Sequence, residues 1–225
     1  MKKIMKDNKS SYFHICDKDI LSHFTELDLE KLQQLIIWTG RETEIWLANR
    51  NRVYFNQWVR DMCKNCGIYS ENHPQCPPNL PSVASLQMDI SFYSLVIIIR
   101  YNGFRRFSNY DLLKNATCKK DLPLCDQEEL HNRQLLRLKI RYISNELQSS
   151  GFQTLPMSAG HCRLCEPPGC HRQTCCKPDE SMPAMEGMGI HVFDTMKRLN
   201  HVMQYPAPET FSFYSAIFIK KTITP

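Results

Sequence analysis

With 225 residues, 42% of them hydrophobic and 23% charged, the chain can bury a core without metals or crosslinks. The same arithmetic excludes wholesale disorder, a collagen repeat and a coiled coil. Its 28 Lys and Arg against 23 Asp and Glu leave a formal net charge of +5, too mild an excess to mark a nucleic-acid binder.

The first dozen residues read as a loose polar tail. Over residues 29–37, Leu29, Leu32, Leu35 and Ile36 fall at helical spacing, and Gly40 stands where the helix would stop. Residues 45–59, with Trp46, Leu47, Val53, Tyr54, Trp58 and Val59, are expected to present a second buried helical face. From 60 to 82, cysteines, prolines and polar residues predict a site-forming loop, with a short helix before Cys63. Residues 89–101 predict a central strand, because Val96 to Ile99 are all β-branched and both faces are apolar.

Residues 109–125 fit no single element. Residues 128–147 form the longest expected helix, with Leu130, Leu135, Leu138, Ile143 and Leu147 along it and Gly151 just beyond its end. A short strand at 151–157, a second cysteine-rich loop at 159–183, a helix at 190–199 and a strand at 211–219 complete the chain. FYSLVIIIR at 92–100 resembles FYSAIFIKK at 213–221. Two strands meeting similar packing demands account for so short a match better than duplication does. The expected fold is α/β or α+β, a central sheet with flanking helices and two cysteine-rich metal-binding loops. Residues 1–59 read as an N-terminal helical region and 60–225 as a cysteine-rich domain, the two packed as one unit.

Cysteine is the unusual count, 11 against only 8 glycines, and an odd number cannot all pair internally. The start, MKKIMKDNKSS, is basic but leads into no apolar stretch, and the longest strongly apolar run, 95–99, is far too short to cross a bilayer. A cytoplasmic protein with reduced thiols and no membrane attachment is expected.

The strongest chemical signal is Cys162-x2-Cys165-x4-Cys170-x4-Cys175, with Cys176 immediately after. Two-residue spacing turns neighbouring thiolates toward one centre, while Gly160 and Gly169 ease the wrapping backbone and Pro167 and Pro168 stiffen it. Four sulfurs suit an iron–sulfur cluster or a structural zinc ion. Packing all of them within one short run favours a cluster over the separated pairs of a zinc ribbon. Either Cys175 or Cys176 is the fourth ligand, since adjacent side chains diverge.

A second set, Cys63-x2-Cys66-x9-Cys76-Pro77-Pro78, supplies three sulfurs. Cys16, Cys118, Cys125 or His73 would close it as a structural site; without them the fourth position is open to a small molecule. Around the later loop, Arg163, Arg172 and Lys177 add positive charge that would favour a reduced cluster and attract an acidic partner such as a ferredoxin or flavodoxin. Loop solubility is the plainer reading of the same charges. Tyr101, Phe104, Arg105, Arg106, Phe107 and Tyr110 interleave aromatic and basic side chains, but without a matching fold nucleic-acid binding is not expected.

These two loops resemble an uncharacterised family of predicted metal-binding proteins, domain of unknown function 2284, found largely in anaerobic bacteria and archaea; the match begins with Cys63, Cys66, Gly67, Tyr69 and Cys76-Pro77-Pro78. It continues through Ala159, Gly160, Cys162, Cys165, Cys175 and Pro178, then Pro183 to Gly187, Gly189, Ile190, His191 and Val192. The resemblance covers about residues 60 to 220. It implies a metal centre, iron–sulfur before zinc, and Cys175 rather than Cys176 as ligand. The chain departs from the family in the four residues between Cys165 and Cys170, in Ala184 for a serine and in His191 for an aspartate.

Glu186 matches the family's acidic position and, with His161 and His191, is a candidate to hydrogen-bond or move a proton beside the centre. A helix-entry charge and exposed histidines are the plainer readings. Cys162, Cys165, Cys170 and Cys175 are therefore expected to hold a principal [4Fe–4S] cluster, and Cys63, Cys66 and Cys76 a second or open site. The activity expected is electron transfer or a cluster-dependent reduction of a small molecule. The alternative is a Zn2+-stabilised, non-catalytic binding or accessory module.

Overall fold

Val96 to Ile99 offer no polar face, and the structure buries all of them completely at the centre of a five-stranded sheet. The structure is a computed structural model. It describes residues 13–17, 19–20, 30–32, 34, 43–66, 69, 71–104, 123–160, 162, 164, 175–203 and 210–221, with backbone alone at 103–104, 123–131 and 210–211. In chain order its elements are β1 (Phe13–Ile15), β2 (Thr43–Asn49), α1 (Gln57–Met62), α2 (Val83–Ile90) and β3 (Leu95–Phe104). They continue with α3 (Pro123–Ser149), β4 (Phe152–Met157), α4 (Val192–Arg198) and β5 (Thr210–Lys221).

The strands lie in the order β1-β2-β3-β5-β4. β1 runs parallel to β2, and every other neighbouring pair is antiparallel. Because side chains alternate across a strand, β3 feeds two cores. Ile97 and Ile99 join Ile45, Leu47 and Ile217 beneath Leu136, Ile140, Ile143 and Leu147 of α3. Val96 and Ile98 join Trp46, Ala48 and Phe218 beneath Leu86 and Ile90 of α2 and Met196 of α4. The result is a mixed sheet with helices on both faces, an α/β fold. The two similar segments are neighbours in the sheet, with Ile97 opposite Ile217 in the β3–β5 ladder.

Residues 45–59 are not one helix. Their first part is β2, followed by a 3-10 turn (Arg50–Arg52) and then α1. Burial on both faces of β2 produces an unbroken apolar run, in which period two and period 3.6 look alike. The strand expected at 89–101 starts at Leu95, because Asp89 and Ile90 still belong to α2, a helix the sequence reading missed. Ser82 starts α2 by accepting the Ser85 amide at 3.1 Å. The long helix, the strand after it, the late helix and the last strand lie where expected. Gly151 closes α3 at φ 84°, a left-handed conformation that suits glycine. Of the helix expected at 29–37, residues 30–32 and 34 are helical and Leu32 is buried; the rest lies outside the described residues. No helix among the described residues is long and apolar enough to cross a membrane.

One feature of the sheet positions the site. β4 pairs only with Ala216–Lys221, so the first half of β5 runs on past the end of its edge neighbour. There the chain leaves Met157 through Ser158, which exchanges backbone hydrogen bonds with Pro183 and Met185. The following turn is held on its other side by Asn56 donating to Gly189 and His191 donating to Tyr54.

Ile98 has no exposed surface. Ile98→Ala is therefore expected to cost about 2–5 kcal/mol of stability, read from the urea midpoint at constant slope.

Candidate metal centre

The first cysteine loop is built outward from α1. Asn56 accepts the Trp58 amide at 2.8 Å and starts the helix. Its far end tightens into a 3-10 turn in which the Cys66 amide donates to the Cys63 carbonyl, so the two thiols project one turn apart. Cys76 follows a turn closed by its own amide on His73, and Asn79 Nδ2 donates to the Glu71 and His73 carbonyls. Arg60, only 7% exposed, anchors this loop. Its guanidinium donates to the carbonyls of Leu80 (2.8 Å), Gly187 (3.1 Å) and Pro81 (2.5 Å). α1, the end of the first loop and the 184–189 turn are thereby held together. Gly187 permits this: a side chain there would press on Leu80.

These elements enclose a cavity of about 650 Å³ beside the free half of β5. Cys63, Cys66, Cys76 and Glu186 share its lining. Burial pushes the Cys63 thiol up to about 11; Glu186, Cys66 and Cys76 push the same way and Arg60 opposes them. Burial likewise raises the Glu186 carboxyl above the usual carboxylate range, against its own backbone amide and Arg133. Acidic groups that disfavour one another's ionised forms are the kind a bound cation relieves. Even so, among the described residues no group of three or more His, Cys, Asp or Glu is arranged to hold a metal ion. The three thiols share a wall at different depths: Cys76 is buried, Cys63 half-buried and Cys66 exposed.

Of the second loop, Cys162 and Cys175 are described; Cys165, Cys170, His161, Arg163 and Arg172 lie outside the described residues. Cys162, Cys175 and Lys177 meet His73 and Gln75 of the first loop around a smaller cavity. His73 Nδ1 accepts the Gln75 amide at 3.0 Å, so its neutral ring carries the proton on Nε2, as a donor. Gln75 Nε2 also donates to Ser181 Oγ at 2.9 Å, tying the loops together. From the opposite side the buried Arg137 of α3 donates to Cys162 Sγ and to Ser158 Oγ, each at 3.2 Å. One turn later Arg141 pairs with Glu180 at 3.2 Å.

The other candidate residues are dispersed. Cys176 is exposed. Cys16 follows β1, one residue past the Ile15–Leu47 pair, packs against the core that holds Ala48, Val96 and Phe218, and does not line the cavity, which reaches the row of Phe213. Cys118 lies outside the described residues, and of Cys125 only helical backbone is described. His191 lines the cavity while its Nδ1 accepts the Asp194 amide at 3.3 Å, capping α4. Tyr101 is a core residue whose hydroxyl donates to Asn132; of Phe104 only backbone is described, and Arg105, Arg106, Phe107 and Tyr110 lie outside the described residues.

Arg60, Arg133 and Arg137 were not singled out from sequence. For the helix pair a signal existed. Positions 133, 137, 140, 144 and 147 recur at steps of four and three, which puts both arginines on the stripe that buries Ile140, Ser144 and Leu147.

Among known proteins, a family model described as predicted metal-binding protein, domain of unknown function 2284, matches residues 47–219. No curated protein and no solved structure matches the chain.

Arg60→Met would strand three carbonyls around a buried position. It is expected to cost about 3 kcal/mol, read by urea denaturation of the metal-free protein, with Arg60→Lys restoring only part because it lacks the planar fork.

Proposed function

The chain belongs to the family of predicted metal-binding proteins, domain of unknown function 2284, and from that premise we propose that it is an iron–sulfur protein. In this reading it transfers electrons or carries out a cluster-dependent reduction of a small molecule. The principal ligands are Cys162, Cys165, Cys170 and Cys175, with Cys176 the alternative to Cys175, and Cys63, Cys66 and Cys76 serve a second or open site. When bound, the group supplies electrons and, at an open position, a Lewis acid.

The observation that carries this reading is that the two cysteine-bearing segments lie side by side. Cys162 and Cys175 meet His73 of the first loop, and the cavity wall behind that loop holds Cys63, Cys66 and Cys76. The donor chemistry fits a thiophilic metal. Cys16, Cys63, Cys66, Cys162 and Cys175 are free cysteines. A buried guanidinium on Cys162 is a partner that a thiolate or a metal-bound sulfur uses more strongly than a neutral thiol.

The chain's own residues do the rest. Arg137 holds Cys162 in place from α3, and His73 Nε2–H offers a second donor across the smaller cavity. Such contacts set ligand orientation and potential. Glu186, whose carboxyl burial raises above the usual carboxylate range, is placed to hold or pass a proton at the cavity wall. A ferredoxin or flavodoxin, being acidic, would find a complementary surface in a chain of net charge +5.

Anaerobically isolated protein is expected to contain about four iron and four sulfide per cluster. Stoichiometric zinc with negligible iron, from cells supplied with iron, would establish the zinc-stabilised accessory module instead. Cys162→Ser and Cys175→Ser are expected to lose the principal cluster, measured as iron, sulfide and the reduced-state electron-paramagnetic signal. Cys176→Ser should retain it; greater loss from Cys176→Ser would move the fourth ligand by one residue.

A further inference from the structure

The cavity that Cys63, Cys66 and Cys76 line is much larger than a bound metal needs. About 650 Å³ is the scale of a site that encloses a drug-sized ligand. Its lining is mostly apolar: Val192 and Phe213 are buried and Met203 half-buried, whereas Trp58, Met62 and Phe193 are exposed. Trp58 is 58% exposed and Phe193 46%, so an apolar lip stands in water around the opening. Covering such a lip is favourable, and an apolar solute entering the cavity would do so.

Polarity enters at one place. Among the described residues lining the cavity, Arg133 is the one Lys or Arg. Its guanidinium stands over the Phe213 ring, Cζ 4.7 Å from the centroid. It also packs on the bare α-carbon of Gly160, where a Cβ would overlap Nη1. Gly160 sits at φ 66°, a conformation that itself favours glycine. Phe213 and Gly160 thus hold the guanidinium by packing, and its planar fork of N–H donors is matched in shape to a carboxylate.

We propose that this cavity binds a predominantly apolar small carboxylic acid, its acid group on Arg133 and its body against Trp58, Val192, Phe193 and Phe213. Cys63, Cys66 and Cys76 then stand on the wall beside the bound molecule. Insofar as those cysteines hold a metal, the inference names what is presented to it and rests on the function proposed above. Glu186 shares the lining with Arg133, which limits the charge the acid meets and sets the expected preference at a modest value.

The test titrates the anaerobically isolated full chain with 2-naphthylacetate and with its neutral amide, by calorimetry, with iron, zinc and sulfide measured on the same samples. The acid is expected to bind about tenfold tighter than the amide, the worth of one hydrogen bond to a charged group. Arg133→Gln should abolish that preference while the amide still binds, and Arg133→Lys should keep part of it. Phe193→Ala, at an exposed position, should weaken both ligands alike.

Equal affinities in the wild-type chain, a preference that survives Arg133→Gln, or affinities untouched by Phe193→Ala would each overturn the assignment. The wild-type comparison decides even where an Arg133 variant fails to fold. Metal content separates the two readings. A metal-loaded chain that binds neither ligand refutes this inference and leaves the metal centre standing. A metal-free chain that binds the acid does the reverse.

Discussion

Three backbone carbonyls from two distant segments converge on the guanidinium of Arg60, and the architecture of the candidate site follows from that convergence. Leu80 and Pro81 close the first cysteine loop, while Gly187 belongs to the turn that carries Glu186. A neutral side chain of similar length could fill the space but not satisfy three acceptors. A lysine would satisfy them without the planar fork that fixes their relative positions. The arrangement is costly to break because the carbonyls would be left buried and unpaired. It is also what makes the cavity wall continuous: α1, bearing Cys63 at its end, is held at one distance from Glu186 and Cys76.

A second set of arginines does for the later loop what Arg60 does for the earlier one. Arg133, Arg137 and Arg141 stand four residues apart on α3, on one side of the helix. The first packs on Phe213 and Gly160, the second donates to Cys162 and Ser158, and the third pairs with Glu180. The helix that covers one face of the sheet with Leu136, Ile140 and Leu147 therefore also grips the segment leaving β4. Packing and chemistry share an element, so a change in how α3 seats on the sheet would be felt at Cys162. Positive charge reaches the second loop from this helix as well as from Lys177.

The cavity itself is a consequence of unequal strand lengths. β4 stops while β5 continues, leaving the Ser212–Tyr214 stretch without a β4 partner. In many sheets such an edge is blunted by charge or covered by a loop. Here the two cysteine-bearing segments and the 184–190 turn gather around it. Gly189, at φ 80° and with Val83 Cγ2 only 2.5 Å from where a Cβ would lie, lets that turn approach α2 closely. Residues far apart in the chain, Trp58, Arg133, Glu186 and Phe213, thus line one space.

Local chemistry made part of this legible. β-branched residues alone were enough to mark β3, amphipathic spacing marked α3, and the spacing of Cys63, Cys66 and Cys76 and of Cys162 to Cys175 marked segments that line the two cavities. Other features escaped because their determinants are not local. β2 is apolar on both faces only because β1 and β3 flank it between two cores, so its residues carry no period of their own. α2 is short and its start depends on a single serine cap. That Arg60 would face inward, that Arg137 would reach a cysteine, and that His73 would meet Cys162 and Cys175 depend on segments separated by tens of residues along the chain. Residue type and spacing by themselves determined which groups are able to ligate and which strand must be buried. Only the tertiary structure decided which of them meet, because a buried charge takes its position from carbonyls and sulfurs delivered by other parts of the fold.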